Sequence, residues 1–182
     1  MHMKKTLILY VSNTGNTQKY CEDIAKETNA DVMPFKKFKW KKIDDYDIVV
    51  FGGWIMGGKI KGADDFLAHW DDDLQGKDVI LFAVGMGYPT AETRKTLINQ
   101  NILDLYHLRF YQFQGSFDFN KLNAMNKMMM KASLAKIAQD PNMTAGEASI
   151  LDIIEHPIDV YDHEKVNKVV SVINTLAVEA QA

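Results

Sequence analysis

Cysteine is nearly absent from this chain of 182 residues: Cys21 stands alone. An internal disulfide is therefore excluded, and a cytoplasmic location is expected. An excess of one sign of charge is missing too. Lys and Arg number 21 against 24 Asp and Glu, a formal net charge of −3, so the basic footprint of a nucleic-acid binder is missing. Lys36-Lys37 and Lys39-Trp40-Lys41-Lys42 form one local basic cluster that reads as a solvated loop. No apolar run approaches the roughly 20 residues of a membrane-spanning helix. No secretory leader pattern precedes what reads as the first strand. The histidines at 2, 69, 107, 156 and 163 show neither HExxH nor any other metal-ligand spacing. GxxxxGK[ST], GxGxxG, GxSxG and a Cys–His arrangement are all missing. Asp71-Asp72-Asp73 reads as a solvated helix end, and nothing left offers an acid–base pair.

What is present is regular alternation. The length suits a single domain, 1–182, large enough to bury a core. Strands are expected at 6–11, 30–35, 47–51, 78–84 and 109–113, and helices at 17–28, 63–70, 91–103 and 163–180. Asp47 to Phe51 and Asp78 to Val84 are continuous apolar, β-branched runs, as strands buried on both faces should be. Cys21 lies beside the inner stripe of the first helix, a packing position. Five strands with intervening helices predict an α/β, three-layer, doubly wound five-stranded parallel sheet of order 2-1-3-4-5. The segment 117–162 is too long for an ordinary connection and reads as a helical insertion after strand five.

Three loops fall at one end of that sheet. The first is Ser12-Asn13-Thr14-Gly15-Asn16-Thr17, between the first strand and the first helix. Its hydroxyls, a glycine that lets backbone approach, and the unpaired N–H groups of a helix start suit an anion. With no basic side chain in the loop, one terminal phosphate monoester fits better than a nucleoside triphosphate with its metal. The second loop, after strand three, is Gly52-Gly53-Trp54-Ile55-Met56-Gly57-Gly58-Lys59, where an indole and bare backbone could cover a flat ring. The third, after strand four, is Gly85-Met86-Gly87-Tyr88-Pro89, with free N–H groups and a second stacking candidate in Tyr88.

Ile8 through Thr17 resembles the N-terminal signature of the flavodoxin family: two aliphatics, an aromatic, any residue, Ser or Thr, two variable residues, a small residue, any residue, Thr. The resemblance implies that the phosphate belongs to FMN, held by Ser12, Asn13, Thr14, Gly15, Asn16 and Thr17. It implies that Gly53, Trp54, Ile55, Met56, Gly57, Gly85, Met86, Gly87 and Tyr88 line the isoalloxazine. Met56-Gly57 matches the Met-Gly-acid form of the second loop, but Gly58 and then Lys59 stand where some members carry the acid. A cation there should stabilise the reduced, anionic ring, and Lys61 is near. A more general likeness extends to the branch classed with menaquinone-dependent protoporphyrinogen oxidase.

Three functions follow as expectations. The first is an FMN redox protein passing electrons between a partner protein or small-molecule acceptor and its donor. The second is an FMN-dependent oxidoreductase acting on a quinone-like or porphyrinogen-like substrate. The third is a flavin-less binding module on the same fold. In the insertion a helix is expected from Lys121 to about Gln139, followed by irregular chain. Leu122, Met125, Met129 and Ala132 form one stripe of it, flanked by Lys121, Lys127, Lys131 and Lys136. The stripe is expected to pack on the domain, with peripheral membrane contact through 121–138 as the alternative.

Overall fold

The structure, a computed structural model, describes residues 4–179. His2 and the expected helix end at Ala180 lie outside them. Strands β1 (Thr6–Tyr10), β2 (Asp31–Pro34), β3 (Ile48–Met56), β5 (Asp78–Gly85) and β6 (Leu108–Gln114) form a parallel sheet in the order β2-β1-β3-β5-β6, and a short β4 (Lys59–Ile60) pairs antiparallel with β3. The five parallel strands thus have the expected 2-1-3-4-5 order, with β4 as an addition outside it.

Burial explains why these runs are strands. All five residues of β1 are buried, as are Ile48 to Gly53 of β3 and Val79 to Val84 of β5. A strand covered on both faces gains from apolar, β-branched side chains at every position. On one face, Ile8, Val50 and Phe82 pack with Tyr20, Cys21 and Ile24 of α1 (Asn16–Thr28) and with Val169, Ile173 and Leu176 of α6 (His163–Glu179). On the other face, Leu9, Phe51 and Leu81 pack with Phe66 and Leu67 of α2 (Ala63–Leu67) and Leu97 of α3 (Ala91–Gln100). The connections therefore leave on opposite faces on either side of the β1–β3 pair. In an open α/β sheet that divergence leaves a crevice at the carboxyl ends of the strands.

Four local expectations are corrected. β3 runs on to Met56, because Gly57 (φ 58°) and Gly58 (φ 78°) form a two-residue turn that folds β4 back on it. Two consecutive positive φ values are the type I′ hairpin geometry that glycine favours. The second helix stops at Leu67, and a single π-helical turn, Trp70–Leu74, follows. The insertion contains two helices, α4 (Ala124–Gln139) and α5 (Ala145–Glu155), with α5 where irregular chain was expected. Thr144 caps α5 reciprocally with Glu147, a capping box. The stripe expected to pack is also rotated. Met125 and Met129 are 68% and 42% exposed, and Leu134 is the buried residue of α4. Among the described residues no helix is long and apolar enough to cross a membrane.

The hairpin is held from outside by one buried amide. Asn101, just past α3, accepts from Ile60 N at 2.9 Å and donates to the carbonyls of Gly58 (2.9 Å) and Leu97 (2.8 Å). Asn101→Ala strands these groups, and leaving buried partners unpaired should cost about 2–3 kcal/mol. Urea unfolding should show that loss, together with faster hydrogen exchange at Ile60. Unchanged stability and exchange would mean that the turn alone holds the hairpin.

Candidate functional site

The site begins where β1 ends. Val11 N still bonds Gly52 O at 2.9 Å, and the chain then leaves the sheet. Ser12 to Gly15 cross to α1, whose N-cap is Gly15 at φ 92° and ψ −14°. No side chain caps this helix. Its first-turn N–H groups lack intrahelical acceptors by construction, and a Cβ placed on Gly15 would meet nothing within 4 Å. Ser12 Oγ is the one buried side-chain nitrogen or oxygen among the described residues without a hydrogen-bond partner. A buried hydroxyl left unpaired costs about 1–3 kcal/mol, so the chain carries here a donor that a bound group could satisfy. Thr17 is 1% exposed, while Asn13 and Thr14 are open to solvent. Orphan hydroxyl, bare helix start and open glycine fit an anionic oxygen cluster such as a phosphate monoester.

Beside this loop stand the ends of β3 and β5. Trp54 lies opposite Val84 in the register and is half-buried. Its neighbour Ile55 packs into the cluster against α2 and α3, so alternation along the strand turns Trp54 to the α1–α6 face. The hairpin brings Lys61 back across from Trp54. Lys61 N bonds Trp54 O at 2.8 Å, and Nζ stands 6.0 Å from the indole centroid. Lys59, one pair nearer the tip, faces Asp64 at 3.9 Å with both side chains exposed, a pair of little energetic weight. The cation beside the indole is therefore Lys61, where the sequence had drawn attention to Lys59. Gly53 also has a structural use: a Cβ there would come within 2.7 Å of Ile60 Cγ2 and of Lys61 O.

The third loop is fixed from β6. Gln114 Nε2 donates to Met86 O at 3.0 Å, and Gly115 N to Gly85 O at 2.8 Å. Tyr88 is left 66% exposed before Pro89 and the N-cap Thr90 of α3. A cavity of about 330 Å³ opens here, lined by Tyr88, Pro89, Gln114, Tyr161, His163 and Lys165 among others. The structure thus brings Ser12 to Thr17, Gly53 to Gly57 and Gly85 to Tyr88 to the carboxyl ends of three adjacent strands.

Sequence reasoning missed the far side of the site. The insertion returns along α1. Tyr20 OH donates to Gln114 O at 2.5 Å and accepts from Asp162 N at 2.7 Å. Tyr161 stacks on Tyr20 with centroids 4.7 Å apart, and its hydroxyl donates to Asp23. Burial first, and Asp23 second, push the Tyr161 phenol well above its usual range, so it keeps its proton for that bond. These contacts join residues far apart in the chain, and no local pattern announces them. Burial pushes the Cys21 thiol up as well, in keeping with its packing place.

The flavodoxin domain model matches residues 7–145. A curated flavodoxin from Maridesulfovibrio salexigens is 35% identical over 94 residues, which is 46% of this chain and 64% of the relative, so the chain spans less than two thirds of that protein's length. Among solved structures, flavodoxin 2 from Bacillus cereus is 18% identical, with 75% of this chain and 99% of that one covered and a TM-score of 0.44. Rubredoxin:oxygen oxidoreductase from Desulfovibrio gigas is 19% identical, with coverages of 75% and 38% and a TM-score of 0.43. With the domain model matching well over half of its length, the chain belongs to the flavodoxin-domain family.

Proposed function

We propose that this protein binds FMN, the cofactor of its family, and transfers electrons between a redox partner protein, or a small-molecule acceptor, and its donor. The observation that carries the proposal is the buried, partnerless Ser12 Oγ beside the uncapped start of α1. Ser12, Thr14 and Thr17 would offer hydroxyls to the ribityl phosphate. Asn13, Gly15 and Asn16 would offer backbone N–H groups. Trp54 and Tyr88 would cover the ring, with Gly53, Ile55, Met56, Gly57, Gly85, Met86 and Gly87 supplying backbone and packing around it. Flavin brings the electron chemistry, and the chain supplies position, exclusion of water and charge.

Calorimetric titration with FMN, FAD and riboflavin tests this. FMN should bind most tightly, and Thr14→Glu, which sets a like charge against the phosphate, should weaken FMN far more than riboflavin. Flavin fluorescence, quenched in the complex, should partly recover in Trp54→Ala or Tyr88→Ala. Equal affinity for FMN and riboflavin would remove the phosphate assignment.

The position of Lys61 sets a sign for the potential. A cation beside the ring-covering indole favours the reduced, more negative flavin. After solvent and salt screening, an effect near 1 kcal/mol corresponds to tens of millivolts. Lys61→Gln should lower the reduction potential of the FMN-loaded protein by about that much. Lys59→Gln, with Asp64 already beside it, should do less. An anaerobic redox titration in which Lys61→Gln matches the unsubstituted protein would show that Lys61 does not tune the flavin.

The open cavity beside Tyr88 leaves room for a second reading, an FMN-dependent oxidoreductase for a quinone-like or porphyrinogen-like substrate. Steady turnover of NAD(P)H with a quinone, in the absence of any partner protein, would favour this enzyme. No turnover would favour the carrier.

A further inference from the structure

Asn16 opens α1, in the middle of the phosphate loop, and its carboxamide is already committed. Nδ2 donates to Ser116 O at 2.6 Å and to Thr14 Oγ1 at 3.2 Å. The first acceptor is a backbone carbonyl, so only the NH₂ end of the amide can face it. Both amide protons are then used. What remains is Oδ1, an acceptor, which a phosphate dianion repels. The fit is close on the other side as well: a Cβ on Gly115 would stand 2.8 Å from Val84 Cγ1 and 3.4 Å from Asn16 Cβ.

Ser116 passes the link on. Its Oγ lies 2.8 Å from Asp159 Oδ1 and accepts from Val160 N at 3.0 Å. Phe117 and Ile158 exchange backbone bonds of 2.8 and 2.9 Å beside it. The residues of α1 that meet the returning chain are Asn16, Lys19, Tyr20 and Asp23, with Lys19 Nζ 4.6 Å from the Tyr161 centroid. The spacing i, i+3, i+4, i+7 is one stripe of a helix. A whole face of the phosphate-loop helix is thus given to the two ends of the insertion.

We propose that Asn16 is a positioning residue, not a phosphate ligand through its side chain: it bolts the phosphate loop to the insertion through Ser116, so that the strap 158–162 and the phosphate site order together. The proposal rests on the FMN assignment above. It makes the insertion part of the cofactor site through its two ends.

The test uses the full-length protein and two variants, Asn16→Ala and Ser116→Ala. Hydrogen exchange of the FMN-free protein reads the bolt directly, at the Val160 and Asp162 amides. Calorimetry with FMN and with riboflavin reads the phosphate site. Both variants should expose the Val160 amide and weaken FMN by about tenfold, the scale for losing one ordering hydrogen bond. Riboflavin affinity should hold in both, which a general loss of structure would not allow. The double variant should be no worse than either single one, because the two residues act in series. Ser116→Ala keeps the carbonyl that Asn16 bonds and removes only the Oγ link to Val160; if it binds FMN as the unsubstituted protein does while Asn16→Ala weakens it, the strap does not act on the phosphate site and the proposal is overturned. Exposure of Val160 with unchanged FMN affinity in either variant overturns it too. If the unsubstituted protein binds FMN no better than riboflavin, the cofactor assignment fails, and the proposal with it, whatever the exchange at Val160.

Discussion

Unpaired hydrogen-bond donors at the start of α1 are the constraint on which the rest of this structure turns. A strand that ends beside β3 and a helix that begins without a cap leave backbone N–H groups and the Ser12 hydroxyl unpaired in one short stretch of chain. In an interior where other polar groups are paired, such a concentration is destabilising unless something negative binds there. The sheet makes it possible. β1 and β3 are the strands at which the connections diverge onto opposite faces, so their carboxyl ends open a crevice rather than a packed junction. The helix start therefore lies at that crevice, at the carboxyl end of β1.

Polar groups elsewhere show the contrast. Asn101 is buried and uses its amide three times over to hold the hairpin. Tyr20 both donates and accepts through one hydroxyl. Gln114 joins β6 to the loop after β5. Each of these is satisfied by the chain itself, and each fixes a wall of the site. Scaffold and candidate site can thus be told apart by hydrogen-bond satisfaction: the walls have spent their donors, while the Ser12 hydroxyl and the first N–H groups of α1 have kept theirs.

Much of this was legible in the sequence because the relevant signals are local. The both-face burial of β1, β3 and β5 leaves continuous apolar runs, and the hydroxyl-rich junction at Ser12 to Thr17 follows the first of them directly. What was illegible depended on partners distant in the chain. Gly57 and Gly58 looked like a ring-contact loop, yet the same two residues close a hairpin, and sequence alone did not weigh that turn. The hairpin then decides which lysine stands by Trp54: antiparallel register sets Lys59 across from Met56 and brings Lys61 back to Trp54. The second helix of the insertion did have a local signal, Thr144 followed three residues later by Glu147, which is a helix start. The expected stripe of α4 failed for a physical reason. Apolar residues lie all around that helix, so periodicity could not single out Leu134 as the face that packs.

The arrangement also bears on stability. A binding site assembled from unpaired donors lowers the stability of the ligand-free chain, and a bound ligand returns that free energy by mass action, about 2.7 kcal/mol at a hundredfold excess over its dissociation constant. The elements that gain most are those tied to the loop, because order at one end of a hydrogen-bonded chain is transmitted only while each link is made. Here the links run from the first turn of α1 through Asn16 to Ser116 and on to Val160, and from Tyr20 to Asp162. An insertion anchored in this way has its two ends held by α1, while Met125, Met128 and Met129 of α4 are exposed. On the proposal above, cofactor occupancy and the order of the strap 158–162 are then a single equilibrium, which is a reason for an inserted segment to begin and end beside the start of α1 rather than anywhere else on the sheet.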